Sequence, residues 1–97
     1  MLADFTAETF QPHVGKTFRV IVDDRQYMPA ELLSVTLWGD ASDGKRHPFT
    51  LLFRADPGHS IPQRMYVLDT EGMEPFELFL VPLKPESDGT RYEAVFA

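Results

Sequence analysis

The sequence contains no cysteine among its 97 residues. Disulfide bonds, thiolate metal ligands and cysteine nucleophiles are therefore excluded, and the composition suits a reducing compartment. The chain also lacks an apolar run of the roughly 20 residues that a membrane-spanning helix requires. Its first residues, MLADFTAETF, contain neither the basic region nor the apolar stretch of a secretory signal peptide. These absences lead us to expect a cytoplasmic protein.

Basic residues are scarce relative to acidic ones. Nine Lys and Arg stand against fifteen Asp and Glu, which gives a net charge of −6. A chain of this charge is repelled by the phosphate backbone of nucleic acids and by anionic lipid. We therefore expect no nucleic-acid partner and no membrane partner, and solubility explains the charge sufficiently.

The chain is long enough to bury one hydrophobic core, but not two. Its 43% hydrophobic and 25% charged residues are typical of a globular protein. Aromatic residues make up 12% of the chain and include eight Phe, which suits a small core. We expect a single domain over residues 1–97, with a helical cap segment at 1–15 and β-structure at 16–97.

The cap segment has a pattern of its own. Either Thr6 or Thr9 is placed to cap a short helix, and the flanking phenylalanines can form a hydrophobic staple. Pro12 excludes one long regular helix, and Gly15 is a suitable stop. We expect a short helical segment over one end of a sheet, with its apolar side chains pointing inward: Phe5, Phe10 and Val14.

From residue 16 onward the apolar residues recur with a period of two, which indicates β-strands. Polar turn segments separate six such runs, and Asp43-Gly44 and Asp88-Gly89 are dipeptides typical of hairpin turns. The predicted strands are 16–22, 27–38, 47–54, 64–70, 74–83 and 91–96.

The predicted strand 74–83 is apolar on both faces. Its two faces carry Phe76, Leu78 and Leu80 on one side and Phe79, Val81 and Leu83 on the other. Apolar residues on both faces indicate a strand that is covered from both sides. We therefore expect this strand to lie at the centre of the sheet.

The connections between the predicted strands fix the fold class. They are about three to nine residues long, too short for parallel crossovers, so the sheet is antiparallel and mostly a meander of hairpins. Several strands are apolar on both faces, and one open sheet would leave them uncovered. We expect an all-β fold: a small antiparallel six-stranded β-barrel or else a compact sandwich. The barrel is favoured, with the N-terminal helical segment as its plug or lid.

Catalytic and metal-binding spacings are missing from the sequence. His13, His47 and His59 form no H-x-x-H or H-E-x-x-H motif. Asp56 and Ser60 lie close to His59, but a catalytic triad takes its members from different elements, whereas one loop uses such residues for turn hydrogen bonds. We expect no cofactor, no metal site and no enzymatic activity, and a hydrolase is the least favoured function.

Five residues are candidates for a partner-binding face. Trp38 ends a strand beside a loop, and Trp often anchors interfaces. Arg54 and Arg64 flank a loop with two prolines that contains His59 and Ile61. Ile61 is the apolar residue of that polar loop, and either it packs inward or it contacts a partner.

Two functions from different classes fit these features. The first is a non-enzymatic module that docks on another protein or on itself. The second is a small-ligand binder with a pocket at the barrel mouth near the N-terminal segment, although six strands rich in Phe and Leu should fill their own interior. An unfilled cavity would favour the ligand binder, and a flat apolar patch or a free strand edge would favour the docking module.

Three stretches carry a resemblance to a known family: FTLLFR at 49–54, the Pro62-Gln63 step into Tyr66-Val67-Leu68, and ELFLVPL with GTRYEAVF within 77–96. They resemble a family of small uncharacterised bacterial all-β proteins, a domain of unknown function that usually forms a chain of this size. The resemblance covers nearly the whole chain and implies no catalytic residues. It implies an assembly role, because such proteins are associated with phage-tail-like genes. Where the family has glycine after the Pro-Gln step, this chain has Arg64.

Overall fold

The computed structural model describes residues 4–41 and 46–97. A one-turn helix, α1, comprises Ala7–Phe10, and a 3-10 turn, Gln11–His13, follows it. All six predicted strands are present with ends shifted by no more than about two residues. They are β1 (Thr17–Ile21), β2 (Tyr27–Leu37), β3 (Phe49–Ala55), β4 (Arg64–Thr70), β5 (Met73–Pro82) and β6 (Thr90–Phe96).

Two predictions concern residues outside those ranges. The turn predicted at Asp43-Gly44 lies outside the described residues, as do the first three residues of the predicted cap segment. The turn predicted at Asp88-Gly89 is present: Glu86 and Gly89 exchange backbone hydrogen bonds of 2.8 and 3.1 Å.

The strands form a closed barrel in the order β1-β2-β3-β6-β5-β4. Each neighbouring pair is antiparallel, which confirms the predicted fold class and decides for the barrel over the sandwich. Closure occurs where β1 pairs with β4, with Ile21 opposite Val67. Because β6 and not β4 lies beside β3, the connection at 56–63 crosses one end of the barrel. The meander prediction therefore fails at this one connection.

The core lies inside the barrel and is built from the inward face of every strand. Its largest fully buried side chains include aromatic residues from four elements, since Phe18, Phe53 and Tyr92 join Phe10 of α1. Aliphatic residues fill the spaces between them: Val20, Leu32, Leu51, Leu68 and Leu80. An interior packed in this way explains how 97 residues sustain a barrel without disulfide bonds.

The expectation that strand 74–83 is covered on both faces is wrong. Phe76, Leu78 and Leu80 are buried as predicted, but Phe79 is 45% exposed and Leu83 is 38% exposed. A closed barrel keeps its core inside, and the short N-terminal segment lies over one end of this barrel, not over the outside of β5. The prediction of a barrel was thus right, although the outward apolar residues that supported it are exposed.

The N-terminal segment closes one end of the barrel, as predicted. Thr6 is the N-cap of α1, and the hydroxyl of Thr9 accepts a hydrogen bond from the Thr6 N–H at 2.9 Å. The predicted staple is present, because the rings of Phe5 and Phe10 pack edge to face with centroids 5.2 Å apart. The expectation that Val14 points inward is wrong: Val14 follows the 3-10 turn at the rim and is 39% exposed.

Gly89 lies in the turn before β6, where the chain passes close to the end of β3. Its φ is +126°, and a Cβ atom at this position would overlap the backbone carbonyl of Ala55. We therefore expect Gly89→Ala to lower the free energy of unfolding by about 2 kcal/mol or more, through backbone strain and the clash together. Gly58→Ala is the matched control, because Gly58 has a φ of +93° but nothing within 4 Å. Its expected loss is about 1 kcal/mol, from strain alone. Equal losses in urea denaturation would show that the Ala55 contact costs nothing.

Candidate protein-docking surface

The two ends of the barrel differ in what covers them. The helix end carries the N-terminal segment, whose Phe10 packs against the first residue of β3, Phe49, and the last residue of β6, Phe96. The loop end carries the β1–β2 turn at 22–26, the connection at 56–63 and the turn at 83–89. Each predicted site residue can be assigned to one of these ends.

The five predicted partner-face residues do not form one surface. Trp38 lies at the helix end, where its N–H donates to the carbonyl of Pro48 and the residue is 42% exposed. Arg54, His59 and Arg64 lie at the loop end. The length of β3, roughly 20 Å at about 3.3 Å per residue, separates Trp38 from Arg54. Trp38 therefore does not share a contact face with the others.

Two of the loop-end residues are engaged within the fold. Ile61 is 8% exposed, and its backbone N–H donates to the hydroxyl of Tyr92 at 3.0 Å. Of the two predicted alternatives, Ile61 therefore packs inward and is not exposed for contact with a partner. The guanidinium of Arg54 lies 3.1 Å from Asp56 and 3.7 Å from Glu31. Arg54 thus holds the end of β3 in place, which leaves His59 and Arg64 as the accessible members of the predicted set at the loop end.

Ionisable groups at the loop end make hydrogen bonds that hold its turns and strands together. Arg91 donates to both carboxylate oxygens of Asp88, at 2.6 and 3.2 Å. These hydrogen bonds lower the pKa of Asp88 and raise the pKa of Arg91. Burial raises the pKa of Tyr66, against a smaller opposing effect of Arg64, and the Tyr66 hydroxyl donates to a backbone carbonyl. The shifted groups are therefore parts of structural pairs.

Each histidine has contacts of its own in the fold. His13 packs on Phe18, His47 lies 3.0 Å from the carbonyl of Gly39, and the N–H of His59 bonds to the carbonyl of Asp56 in a turn. Within residues 4–41 and 46–97, no group of three or more His, Asp or Glu is arranged to hold a metal ion. Those residues also form no helix with the length and apolar character needed to cross a bilayer.

Exposed apolar side chains gather on the outer surface of β4, β5 and β6. We define the outer apolar face as Met65, Val67, Phe79 and Val95, which are 47%, 39%, 45% and 57% exposed. The β4–β5 register places Met65 directly opposite Phe79, and half-buried Ile21 lies opposite Val67 on β1. Cross-strand neighbours on one face of a sheet lie about 5 Å apart. The face is thus continuous across β4 and β5.

A seam opens between β5 and β6 beside this face. In the described part of the chain, β5 pairs with β6 at Val81 and Glu93 and at the next residue pair towards the loop end. Towards the helix end, the pairing stops at Val81 and Glu93. The same register continued by two residues would bring Phe79 opposite Val95, but the two strands do not pair at that point. Phe79 and Val95 therefore flank two strand edges that face each other without being joined.

Aromatic rings close the seam from the inside. The ring of Phe5 packs edge to face on Phe76 of β5 with centroids 5.4 Å apart, and it lies 6.5 Å from the ring of Phe96 on β6. The N-terminal segment thus fills the gap where the strands separate. The outer side of the same gap keeps its apolar side chains accessible.

Carboxylates border the outer apolar face. Glu77 lies opposite Val67, and Glu93 lies opposite Val81. Asp69 is already paired with Arg19 at 2.7 Å, whereas neither Glu77 nor Glu93 has an ion-pair partner among the residues that the structure describes. The border of the face is therefore negatively charged.

Sequence reasoning missed the outer apolar face. The outward residues Met65, Val67 and Phe79 are visible in the sequence pattern, but two apolar faces on one strand predict two covering layers, and the structure has only the inner one. The signal that could have corrected this is the length of the chain, because 97 residues cannot build a barrel and a second layer outside it.

The fold and its surface define a class of protein: a small closed antiparallel barrel, plugged at one end by its N-terminal segment, with an apolar outer face bordered by acids. A family described as Domain of unknown function (DUF6916) matches residues 5–96. The chain belongs to this family, which confirms the expected membership in a family of unknown function. No curated protein matches the chain, and no solved structure matches it.

Proposed function

We propose that this protein is a non-enzymatic interaction module that binds another protein through the outer apolar face. The observation that carries the proposal is the placement of Met65, Val67 and Phe79, with Val95 across the seam, on neighbouring strands of one surface. Single exposed apolar residues are normal, whereas a contiguous patch with a polar border marks an interaction site.

The acidic border favours a basic partner. Glu77 and Glu93 have no cation within the described chain to neutralise them, and the protein as a whole carries a net charge of −6. A second copy docking on this face would bring acidic borders together, and like charges at an interface are unfavourable. A protein whose apolar contact residues are ringed by Lys or Arg would instead match the face in both respects. We therefore assign a basic protein partner in preference to self-association.

The proposed setting is the bacterial cytoplasm. The lack of cysteine in the chain supports a reducing compartment, and the bacterial origin is supported by the resemblance of residues 49–54 and 77–96. The most specific form of the proposal, an assembly role beside phage-tail-like proteins, rests on the same resemblance.

The alternative of a ligand pocket near the N-terminal segment has less support. Phe10 is fully buried at that mouth, with the rings of Phe49, Phe76 and Phe96 around it. A groove of about 250 Å³ lies outside the mouth, between α1 and the end of β2. Its lining includes Leu37, which is 53% exposed.

Capture from native lysate with matched variants tests the docking proposal. We expect the tagged protein to retain a basic partner, and Phe79→Ser and Glu77→Lys each to reduce its capture at least about tenfold. Raising the salt concentration from about 50 to about 500 mM should also weaken capture, because the charges at the border are screened.

Leu37→Ser is the matched control, since Leu37 is as exposed as Phe79 but lies at the helix end. Its capture should equal that of the unmodified protein, and circular dichroism should show the same fold for all variants. The proposal is wrong if no partner is retained, if Phe79→Ser leaves capture unchanged, or if Leu37→Ser reduces it equally.

A further inference from the structure

A cleft at the loop end has a chemistry that the docking proposal does not use. It measures about 540 Å³ and opens between the β1–β2 turn and the connection at 56–63. The turn contributes Val22 and Arg25 to its lining, the start of β2 contributes Tyr27, and the connection contributes His59 and Ser60. The cleft therefore combines hydrogen-bond donors with apolar surface.

The lining is basic although the protein is acidic. Fifteen of the 97 residues are Asp or Glu, yet none of those that the structure describes lines the cleft, whereas Arg25 and His59 do. Elsewhere arginines are neutralised by carboxylates: Arg19, Arg54 and Arg91 each lie within 3.1 Å of one. Arg25 has no such partner among the described residues. Its positive charge is therefore available to a ligand.

A second arginine, on β4, lies beside the cleft. The guanidinium of Arg64 donates to the carbonyl of Val22, a lining residue, at 3.3 Å, and it stacks on the ring of Tyr66 at 4.8 Å. These contacts hold Arg64 beside the opening, and within the described chain it too lacks a carboxylate partner. Guanidinium groups bind the paired oxygens of carboxylates and phosphates in a bidentate manner.

Both walls of the cleft are fixed by local hydrogen bonds. A carboxylate oxygen of Asp23 accepts from the N–H groups of Arg25 and Gln26 at 2.8 and 3.0 Å, which orders the turn and directs that acid to the backbone. Two prolines bound the other wall, where the N–H of Ile61 donates to Tyr92. A preformed site binds its ligand with a smaller entropic cost.

The floor of the cleft is apolar. Met28 and Ile61 line it and are only 2% and 8% exposed, and the ring of Tyr27 lies at its edge with 52% exposure. An inorganic ion would leave this surface unused. A ligand with a compact aromatic or aliphatic group beside its charge would contact it.

We propose that the loop-end cleft binds a small organic anion, a carboxylate or phosphate that carries a compact apolar group. Arg25, Arg64 and His59 contact the charged group, and Tyr27 and Val22 contact the apolar one. This site is separate from the proposed docking surface. Its lining is positively charged, whereas the border of the outer apolar face is negatively charged.

Amide chemical shifts of the intact protein test this site. Phenyl phosphate and benzoate are the two anionic probes, and benzyl alcohol is the neutral probe of similar shape. We expect saturable shifts at Arg25, Gln26 and His59 with at least one anion, at a Kd in the micromolar to millimolar range, and none with benzyl alcohol. The stronger of the two anions identifies the charged group as phosphate or carboxylate. The indole N–H of Trp38, at the helix end, should not shift.

Charge-removing variants connect the shifts to the named residues. Arg25→Gln and Arg64→Gln should each weaken binding of the better anion about tenfold, whereas Lys16→Gln removes the same charge outside the cleft and should have no effect. The Phe79→Ser variant should also bind the anion with unchanged affinity. Failure of the docking proposal can then be distinguished from failure of the cleft proposal. The inference is overturned if neither anion gives saturable shifts below about 10 mM, if benzyl alcohol binds equally, or if the arginine variants keep full affinity.

Discussion

Phe10→Ala is expected to lower the free energy of unfolding by about 3–5 kcal/mol. Phe10 belongs to a helix of only four residues, which would not be stable by itself, yet its side chain is fully buried. Truncation would leave a cavity at the helix end and remove contacts with four rings: Phe5 at 5.2 Å, Phe49 at 6.0 Å, and Phe76 and Phe96 at 5.7 Å. Urea denaturation followed by circular dichroism measures the loss.

Val14→Ala is the control for this variant, because Val14 lies in the same segment but is 39% exposed. Its expected effect is within about 0.5 kcal/mol. A loss below about 1 kcal/mol for Phe10→Ala would mean that the N-terminal segment is a detachable lid rather than part of the core. In that case the alternative function, a ligand pocket at the helix end of the barrel, would be favoured again.

The strands and the plug could be predicted from the sequence because both depend on local patterns. Alternation of apolar and polar residues fixed β4 at 64–70, the range that the structure shows. The capping residue Thr6 and the staple of Phe5 and Phe10 lie within five positions of one another, so their spacing alone indicates the geometry. Short connections also exclude parallel pairing for steric reasons.

The order of the strands could not be predicted in the same way. The pairing of β3 with β6 joins residues about 40 positions apart, such as Phe53 and Tyr92. No local pattern specifies such a pair, because it results from closing the barrel around the core as a whole. The place of Trp38 relative to Arg54 depends on the same closure. A partner face inferred from neighbouring loops was therefore divided between the two ends.

The local charge of each candidate site also could not be predicted from the sequence. Arg25 and Arg64 are separated by 38 intervening residues, and the hydrogen bond of Arg64 to Val22 is what places it beside the cleft that Arg25 lines. Which arginines are neutralised also follows from tertiary structure, as the pairing of Arg19 with Asp69 across β1 and β4 shows. Composition reports only the total charge, and that total is acidic.

Leu80→Ala is expected to lower the free energy of unfolding by about 2–5 kcal/mol. Leu80 is fully buried on β5, opposite Arg64 in the register with β4, and it belongs to the continuous core cluster inside the barrel. The surrounding strands are closed on themselves and cannot collapse into the space that Leu80 would leave, which favours the upper half of this range. A loss well below 1 kcal/mol would show that Leu80 is not part of the core.

Phe79→Ala is the natural control, because Phe79 is the adjacent residue on the same strand and points to the other side. Although its side chain is larger than that of Leu80, it is 45% exposed, so we expect Phe79→Ala to cost less than about 1 kcal/mol. An equal loss at the two positions would show that the outer face is covered in the folded protein, for example in a self-associated form. The expected difference would instead mean that Phe79 contributes little to folding. Its side chain, exposed beside the seam, would then be available for the partner contact that we propose for the outer apolar face.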